Sequence, residues 1–192
     1  MAEKRLILAS ASPRRREILE SAGYVFDIIS PDADEVSEGL SPAELTVENS
    51  RRKACAALKA VNGVIICADT VVCLDGMILG KPDGAEGAKK MLSSLSGRSH
   101  SVITGYTVTD GAKEVCGYVE TTVHMRPILP FETEAYVATG SPLDKAGAYG
   151  IQEAAGMFVS GIEGDYYNVV GLPLSKISEI LYDSFGIRGF MK

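Results

Sequence analysis

Asp69 closes the run Val64-Ile65-Ile66-Cys67-Ala68-Asp69-Thr70. Five apolar residues in a row predict a strand covered on both faces. In open α/β sheets, ligands gather at the carboxyl ends of strands. A carboxylate placed there can hold a divalent cation or take a proton from water, and it can equally cap a turn. A second block, Ser10-Ala11-Ser12-Pro13-Arg14-Arg15, follows the apolar run Leu6–Ala9 and leads into a helix. Backbone N–H groups and the helix dipole at such a start favour an anion. Two arginines in the first turn oppose that dipole, a penalty that a bound phosphate would cancel. Arg also offers a planar fork matched to phosphate oxygens. The bland alternative is an ordinary capped helix with a solvated basic turn.

Other charged residues carry weaker signals. Lys81 sits between Gly80 and Pro82, which suits a fixed point charge or an exposed loop lysine equally. Lys53 lies in the basic run Arg51-Arg52-Lys53 on a predicted helix, where charges are often simply solvated. Asp34 and Glu35 fall in a polar loop and could ligate a metal. In Asp144-Lys145-Ala146-Gly147-Ala148-Tyr149-Gly150-Ile151-Gln152, two glycines three apart allow close backbone approach to a ligand. Gln152 offers both a donor and an acceptor, as reading the edge of a base requires. Tight Gly-rich turns also serve plain architecture. No G-x-x-x-x-G-K-[ST] or G-x-G-x-x-G is present, so neither a P-loop nor a dinucleotide fingerprint is available. His100 and His124 lack a G-x-S-x-G partner, and His100 is expected to be a hydrogen-bonding residue at a strand edge.

The elements that must position these groups are readable from local signals. Ser12 is the expected N-cap and Pro13 the first residue of a helix ending at Gly23. Tyr24–Ile29 reads as a strand. Ser41-Pro42-Ala43-Glu44 is a capping box that opens a helix to about Ala60. Asp75-Gly76 signals a hairpin. A helix over 84–95 precedes a long hairpin, 99–109 with 113–124. A short helix from Pro130 ends near Gly140, a Gly-rich strand region covers 145–171, and Pro173 opens a last helix. Strands alternate with helices, but hairpins are too frequent for a purely parallel sheet. The expected class is α/β with a mixed sheet, forming one domain over 1–192.

The 192 residues carry 19 basic against 25 acidic side chains, a net charge of -6, which argues against sequence-independent nucleic-acid binding. No stretch has the length of a membrane helix, and Leu6–Ala9 is too short for a signal peptide, so no membrane association and a cytoplasmic location are expected. Cys55, Cys67, Cys73 and Cys116 lack C-x-x-C spacing and read as buried free thiols.

Taken in order, LILASxSPRR, the acidic pair at 34–35, R-x-K-A at 51–54, ADTVV, GKP, LSGRSHSVIT, DKAGAYGIQ and GDYYxVxGLP closely resemble the Maf (septum-formation inhibitor) family of nucleoside triphosphate pyrophosphatases. The resemblance runs from residue 6 to about 180. It implies a two-lobed fold like that of inosine triphosphate pyrophosphatases, with a central cleft. It also implies Mg²⁺ or Mn²⁺ as cofactor, a homodimer, and hydrolysis of a nucleoside triphosphate to monophosphate and pyrophosphate. On that basis Asp69 is the general base and a metal ligand, and Glu35 is the second metal carboxylate. Ser10, Arg15, Lys53 and Lys81 bind the phosphates. Arg14, Thr70 and Gln152 match the branch acting on dTTP and UTP, with modified pyrimidine triphosphates as further candidates. The branch acting on 7-methyl-GTP has Trp, Gln and Glu at those points. Glu153 departs from the usual glycine of the dTTP/UTP branch, and a carboxylate beside Gln152 could alter base preference. Two other readings stay open: a purine or 7-methyl-GTP pyrophosphatase, and a non-catalytic nucleotide-binding regulator of septation.

Overall fold

A computed structural model of the chain describes residues 4–36 and 39–190; part of the polar loop before Ser41 lies outside them. Seven strands form one mixed sheet in the order β2 (Asp27–Ile29), β1 (Leu6–Ala9), β3 (Val64–Leu74), β5 (Ser99–Thr109), β6 (Glu114–Met125) and β7 (Val159–Glu163), with β4 (Met77–Leu79) paired to β3. β1 runs parallel to β2 and β3, whereas β4 and β7 pair antiparallel to β3 and β6. The expected mixed α/β class is observed. Among the described residues no helix is long and apolar enough to cross a membrane.

Two compact units are assembled from interleaved stretches of chain. The first comprises the residues up to Asp69, Thr104–Val119 and the chain from Gly171. It holds α1 (Pro13–Ser21), α2 (Pro42–Leu58) and α6 (Leu174–Phe185). Ile7, Ala9, Ala54, Ala57, Ile65 and Cys67 form a buried cluster there. The start of α2 is fixed as its sequence predicts: Ser41 Oγ accepts from Glu44 N–H at 3.4 Å, and Ser41 N–H donates to Glu44 Oε2 at 3.0 Å. The stripe that α2 buries is unexpectedly polar, however, with Thr46, Asn49 and Ser50 beside Ala54 and Ala57. These polar groups are tolerated because each finds a partner. Ser50 Oγ, for example, shares a 2.8 Å hydrogen bond with Thr107 Oγ1.

The second unit, Thr70–Ile103 with Glu120–Val170, contains α3 (Gly84–Leu95), α4 (Pro130–Ala138) and α5 (Tyr166–Val170). Its core joins Val72, Leu92, Leu95, Val102, Val123, Tyr136, Tyr149 and Phe158 among others. The predicted strand region 145–171 is a correction. Only Val159–Glu163 is strand, preceded by 3-10 turns at Ser141–Asp144, Ala146–Ala148 and Ala154–Phe158. Gly147 adopts φ 67° there, a left-handed conformation that ends an extended segment. His100 is also not an edge residue. It is 4% exposed, and its Nε2 shares a 2.7 Å hydrogen bond with the Tyr149 hydroxyl.

Burial depresses the His100 pKa to about 4. The unfolded chain protonates this imidazole once pH falls through about 6.5, while the folded chain resists until about 4. Stability should therefore decline as pH drops across that window, by roughly 3 kcal/mol from this group. Urea unfolding at pH 7 and 4.5 checks this. His100→Gln, which keeps a partner for Tyr149, should flatten the dependence, and an unchanged slope would clear His100 of it.

The cysteine expectation holds for two residues and fails for two: Cys67 and Cys73 are buried and free, whereas Cys55 and Cys116 are free but exposed. Cys55 lies on the outer face of α2 and Cys116 is at an outward position of β6, so neither position turns into a core.

Candidate active site

Asp69 lies within β3, because the strand continues through Asp69-Thr70 to Leu74. A change of polarity ended the predicted strand at Ala68. The backbone ladder carries on regardless, with Val72 to Leu74 pairing to β4. In the first unit the Asp69 side chain, 15% exposed, meets two groups from α2. Lys53 Nζ donates to Oδ1 at 2.8 Å and Asn49 Nδ2 donates to Oδ2 at 3.3 Å. Asn49 is held in turn by the loop: its Oδ1 accepts from Val36 N–H at 2.8 Å, and its Nδ2 donates to the Val36 carbonyl at 3.1 Å. Lys53 Nζ also pairs with Glu35 Oε1 at 2.7 Å. One ammonium thus bridges the two carboxylates singled out from the sequence.

Asn49 was not singled out. Its position four residues before Lys53 places both on one helix face, and that spacing was the available signal.

Arg15 is pinned from three sides. Its Nε donates to the Gly171 carbonyl at 2.8 Å, and one terminal nitrogen donates to the Ala68 carbonyl at 2.8 Å and to Ser10 Oγ at 3.2 Å. The guanidinium plane is therefore set by Ser10 just after β1, by Ala68 in the middle of β3 and by Gly171. Burial lowers its pKa, and neighbouring Asp69 works in the opposite direction. Ser12 occupies the N-cap position of α1, but its side chain makes no capping bond. Its N–H instead donates to Ser10 Oγ at 3.2 Å, so Ser10 organises this turn. Arg14 is half-buried on the same first turn. Between these charges, Cys67 is inert: burial pushes its thiol up to about 12, against only partial relief from Lys53 and Arg15.

Ser10, Arg15, Lys53, Glu35 and Asp69 thus converge in the first unit. Thr70, Lys81 and Gln152 belong to the second. Thr70 is half-buried on β3, while Lys81 and Gln152 are exposed. There the Gly147 N–H donates to the Gly80 carbonyl at 3.1 Å, tying the loop of Lys81 to the segment that carries Gln152. Glu153 is not an idle neighbour of Gln152, since it pairs with Lys145 at 3.1 Å. A cavity of about 450 Å³ in the first unit lies along the Arg52, Cys55, Ala56 and Lys59 face of α2 and includes neither Lys53 nor Asp69. Its arginines are already paired, Arg51 with Glu114 and Arg52 with Glu48.

The donor set bears on a metal. Among the described residues no three His, Cys, Asp or Glu side chains form a metal-binding group. Two carboxylates within reach of a single ammonium are nonetheless hard oxygen donors at one point. Mg²⁺ commonly takes one or two carboxylates and completes its shell with water and substrate phosphates. Asp69 and Glu35 fit that requirement.

The comparisons with known proteins agree with one another. A family model for Maf-like proteins matches residues 5–184. A dTTP/UTP pyrophosphatase of Thermococcus gammatolerans is 49% identical over 172 residues, covering 90% of this chain and 92% of its own. One from Alkaliphilus metalliredigens is 48% identical over 190 residues, covering 96% and 98%. Among solved structures, a HAM1 protein from Coxiella burnetii aligns with a TM-score of 0.55 at 15% identity, over 95% of this chain and 100% of that one. That likeness concerns the fold. With its motifs in order along the chain and the family model matching nearly its whole length, this protein belongs to the Maf-like family.

Proposed function

We propose that this protein hydrolyses dTTP and UTP in the cytoplasm to the nucleoside monophosphate and pyrophosphate. The carrying observation is the Asp69 carboxylate, held by Lys53 and Asn49 and set beside Arg15. The names of the relatives at 49% and 48% identity support the substrate class.

Each Asp69 oxygen takes one hydrogen bond from α2, which fixes the carboxylate and leaves lone pairs to accept from a water molecule. Asp69 takes the water proton as the water oxygen bonds to the α-phosphorus. The bond from that phosphorus to the α–β bridging oxygen breaks, and pyrophosphate leaves with the electron pair. Positioning and charge neutralisation supply most of the rate in such transfers. Arg15, Lys53 and Lys81 oppose the triphosphate charge. Ser10, whose oxygen accepts from Ser12 N–H and Arg15, donates its hydroxyl proton to a phosphate oxygen. Asp69 and Glu35 would hold a divalent cation, which supplies Lewis-acid stabilisation of the phosphate oxygens and lowers the pKa of bound water. Arg14, Thr70 and Gln152 read the pyrimidine. An amide matches the O4 acceptor and N3–H donor that uracil and thymine present on one edge.

Hydrolysis of UTP in ¹⁸O-water with Mg²⁺ tests the reaction. The label should appear in the monophosphate, with pyrophosphate as the co-product. Orthophosphate as the first product, or label in pyrophosphate, would refute the assignment.

A further inference from the structure

The segment between α4 and β7 contains a grip on Gln152. Glu153 N–H donates to the Gly150 carbonyl at 3.1 Å, closing a four-residue turn with Gln152 as its third member. Both ends of this turn rest on one side chain. A Cβ on Gly150 would stand 2.9 Å from Lys145 Cε and 3.1 Å from Lys145 Cδ, so the first residue of the turn lies directly on the lysine stem. At the other end, Glu153 Oε1 pairs with Lys145 Nζ at 3.1 Å, while Glu153 Oε2 accepts from the Ser141 hydroxyl. The same ammonium donates to the Ser141 carbonyl at 2.7 Å and to Asp144 Oδ1 at 2.8 Å.

Lys145 is 6% exposed, which is rare for a lysine and tolerated only with such partners. Burial acts against its charge, but the bonds and charges of Asp144 and Glu153 outweigh burial and raise its pKa. Between Lys145 and Gly150 the chain passes through Ala148 at φ 61°. A non-glycine residue stays in that region only where its surroundings over-determine it. His100 supplies a further anchor through the Tyr149 hydroxyl. Gln152, by contrast, is exposed. A heavily anchored frame thus carries one exposed amide, the arrangement expected where a side chain must be aimed.

We propose that Lys145 is a positioning residue for base selection: its stem and ammonium clamp Gly150 and Glu153 and so fix the direction in which Gln152 presents its amide. Glu153 then tunes specificity through Lys145 without touching the nucleotide. The inference rests on the reading of Gln152 as the base contact, and its test separates the two.

Lys145→Met keeps the stem and removes the ammonium; Glu153→Gln removes the charge and keeps a group able to bond Ser141. Pyrophosphate release from UTP and CTP is measured for both variants, alongside thermal unfolding. The KM for UTP should rise about tenfold and the UTP-to-CTP ratio of kcat/KM should fall about tenfold, with kcat changed about twofold at most, because the interaction bears on base recognition and not on the reacting bond. A loss shared equally by UTP and CTP, or a loss confined to thermal stability, would overturn the clamp. Should Lys145→Met fail to fold, Glu153→Gln carries the same readout from a more exposed position. Gln152→Ala is the parallel control. If it leaves the ratio unchanged, the base reading fails and takes the clamp with it. If it collapses the ratio while Glu153→Gln does not, the clamp alone is wrong.

Discussion

Replacing Asp69 by Asn should lower kcat for UTP by about 10²-fold or more, the range expected for loss of a general base. Asn has the shape of Asp and can still accept from Lys53 or Asn49 through its single carbonyl oxygen, so the site should stay assembled. It cannot take a proton from water. The substitution removes a negative charge beside a polyanionic substrate and also one of the two carboxylates that would hold the cation, so at saturating Mg²⁺ KM should stay level or fall. A drop in kcat without a rise in KM is the signature of an interaction made in the transition state. Lys53 remains paired with Glu35 in the variant, at 2.7 Å in the parent protein, which limits collateral damage. Steady-state pyrophosphate release, with a melting curve to verify folding, checks the prediction. A folded variant within about threefold of the parent rate would remove Asp69 from the role, since that is well short of the effect of a lost base.

The second large effect is structural and reaches the same site. Gly105→Ala should destabilise the protein by about 3 kcal/mol, the upper end of the usual range for overpacking. A Cβ at Gly105 would lie 2.2 Å from the Thr46 carbonyl carbon and 2.4 Å from Val47 N. Both are backbone atoms of α2, and no rotamer change can move them aside. Helix α2 must lift away from β5, and it carries Asn49 and Lys53 with it. The Asp69 contacts at 2.8 Å and 3.3 Å would then open, so activity should fall even at temperatures where the variant is folded. For a chain of this length the melting temperature should drop by roughly 10 °C. Gly87→Ala is the matched control. Its Cβ would meet nothing closer than 3.5 Å, and inside α3 it should be neutral or stabilising by up to about 1 kcal/mol. Equal melting temperatures for Gly105→Ala and the parent would show that α2 does not rest on β5 as described.

These two positions differ in how far along the chain their reasons lie. Asp69 stands out because a carboxylate directly after Val-Ile-Ile-Cys-Ala interrupts an apolar run, a signal contained in a few neighbouring residues. Gly105 carried no such signal, because its reason is a helix backbone 59 residues earlier in the chain that passes too close for any side chain. Asn49 was legible only in part. Helical spacing joins it to Lys53, but that this face turns inward, burying three polar residues, depends on partners from β3, β5 and the loop near Val36. Lys145 reads as one more charge in a Gly-rich stretch, and its burial arises from three short turns folding around it.

What the residues alone determined were the features written in local backbone chemistry. The capping box at Ser41–Glu44, Pro13 opening α1, the Asp75-Gly76 hairpin and the bounds of α3 all depend on groups within four residues of one another. The ordered motifs of the Maf-like family belong with them. Tertiary structure alone decided that β3 runs on through Asp69 and Thr70, that Lys53 spans Asp69 and Glu35, that Arg15 is fixed on the carbonyls of Ala68 and Gly171, and that residues 141–158 coil into turns. The physical reason is range. Caps and hairpins are stabilised by bonds that close small loops. A polar residue is buried or solvated according to partners brought from distant parts of the chain, and only the packed molecule supplies them.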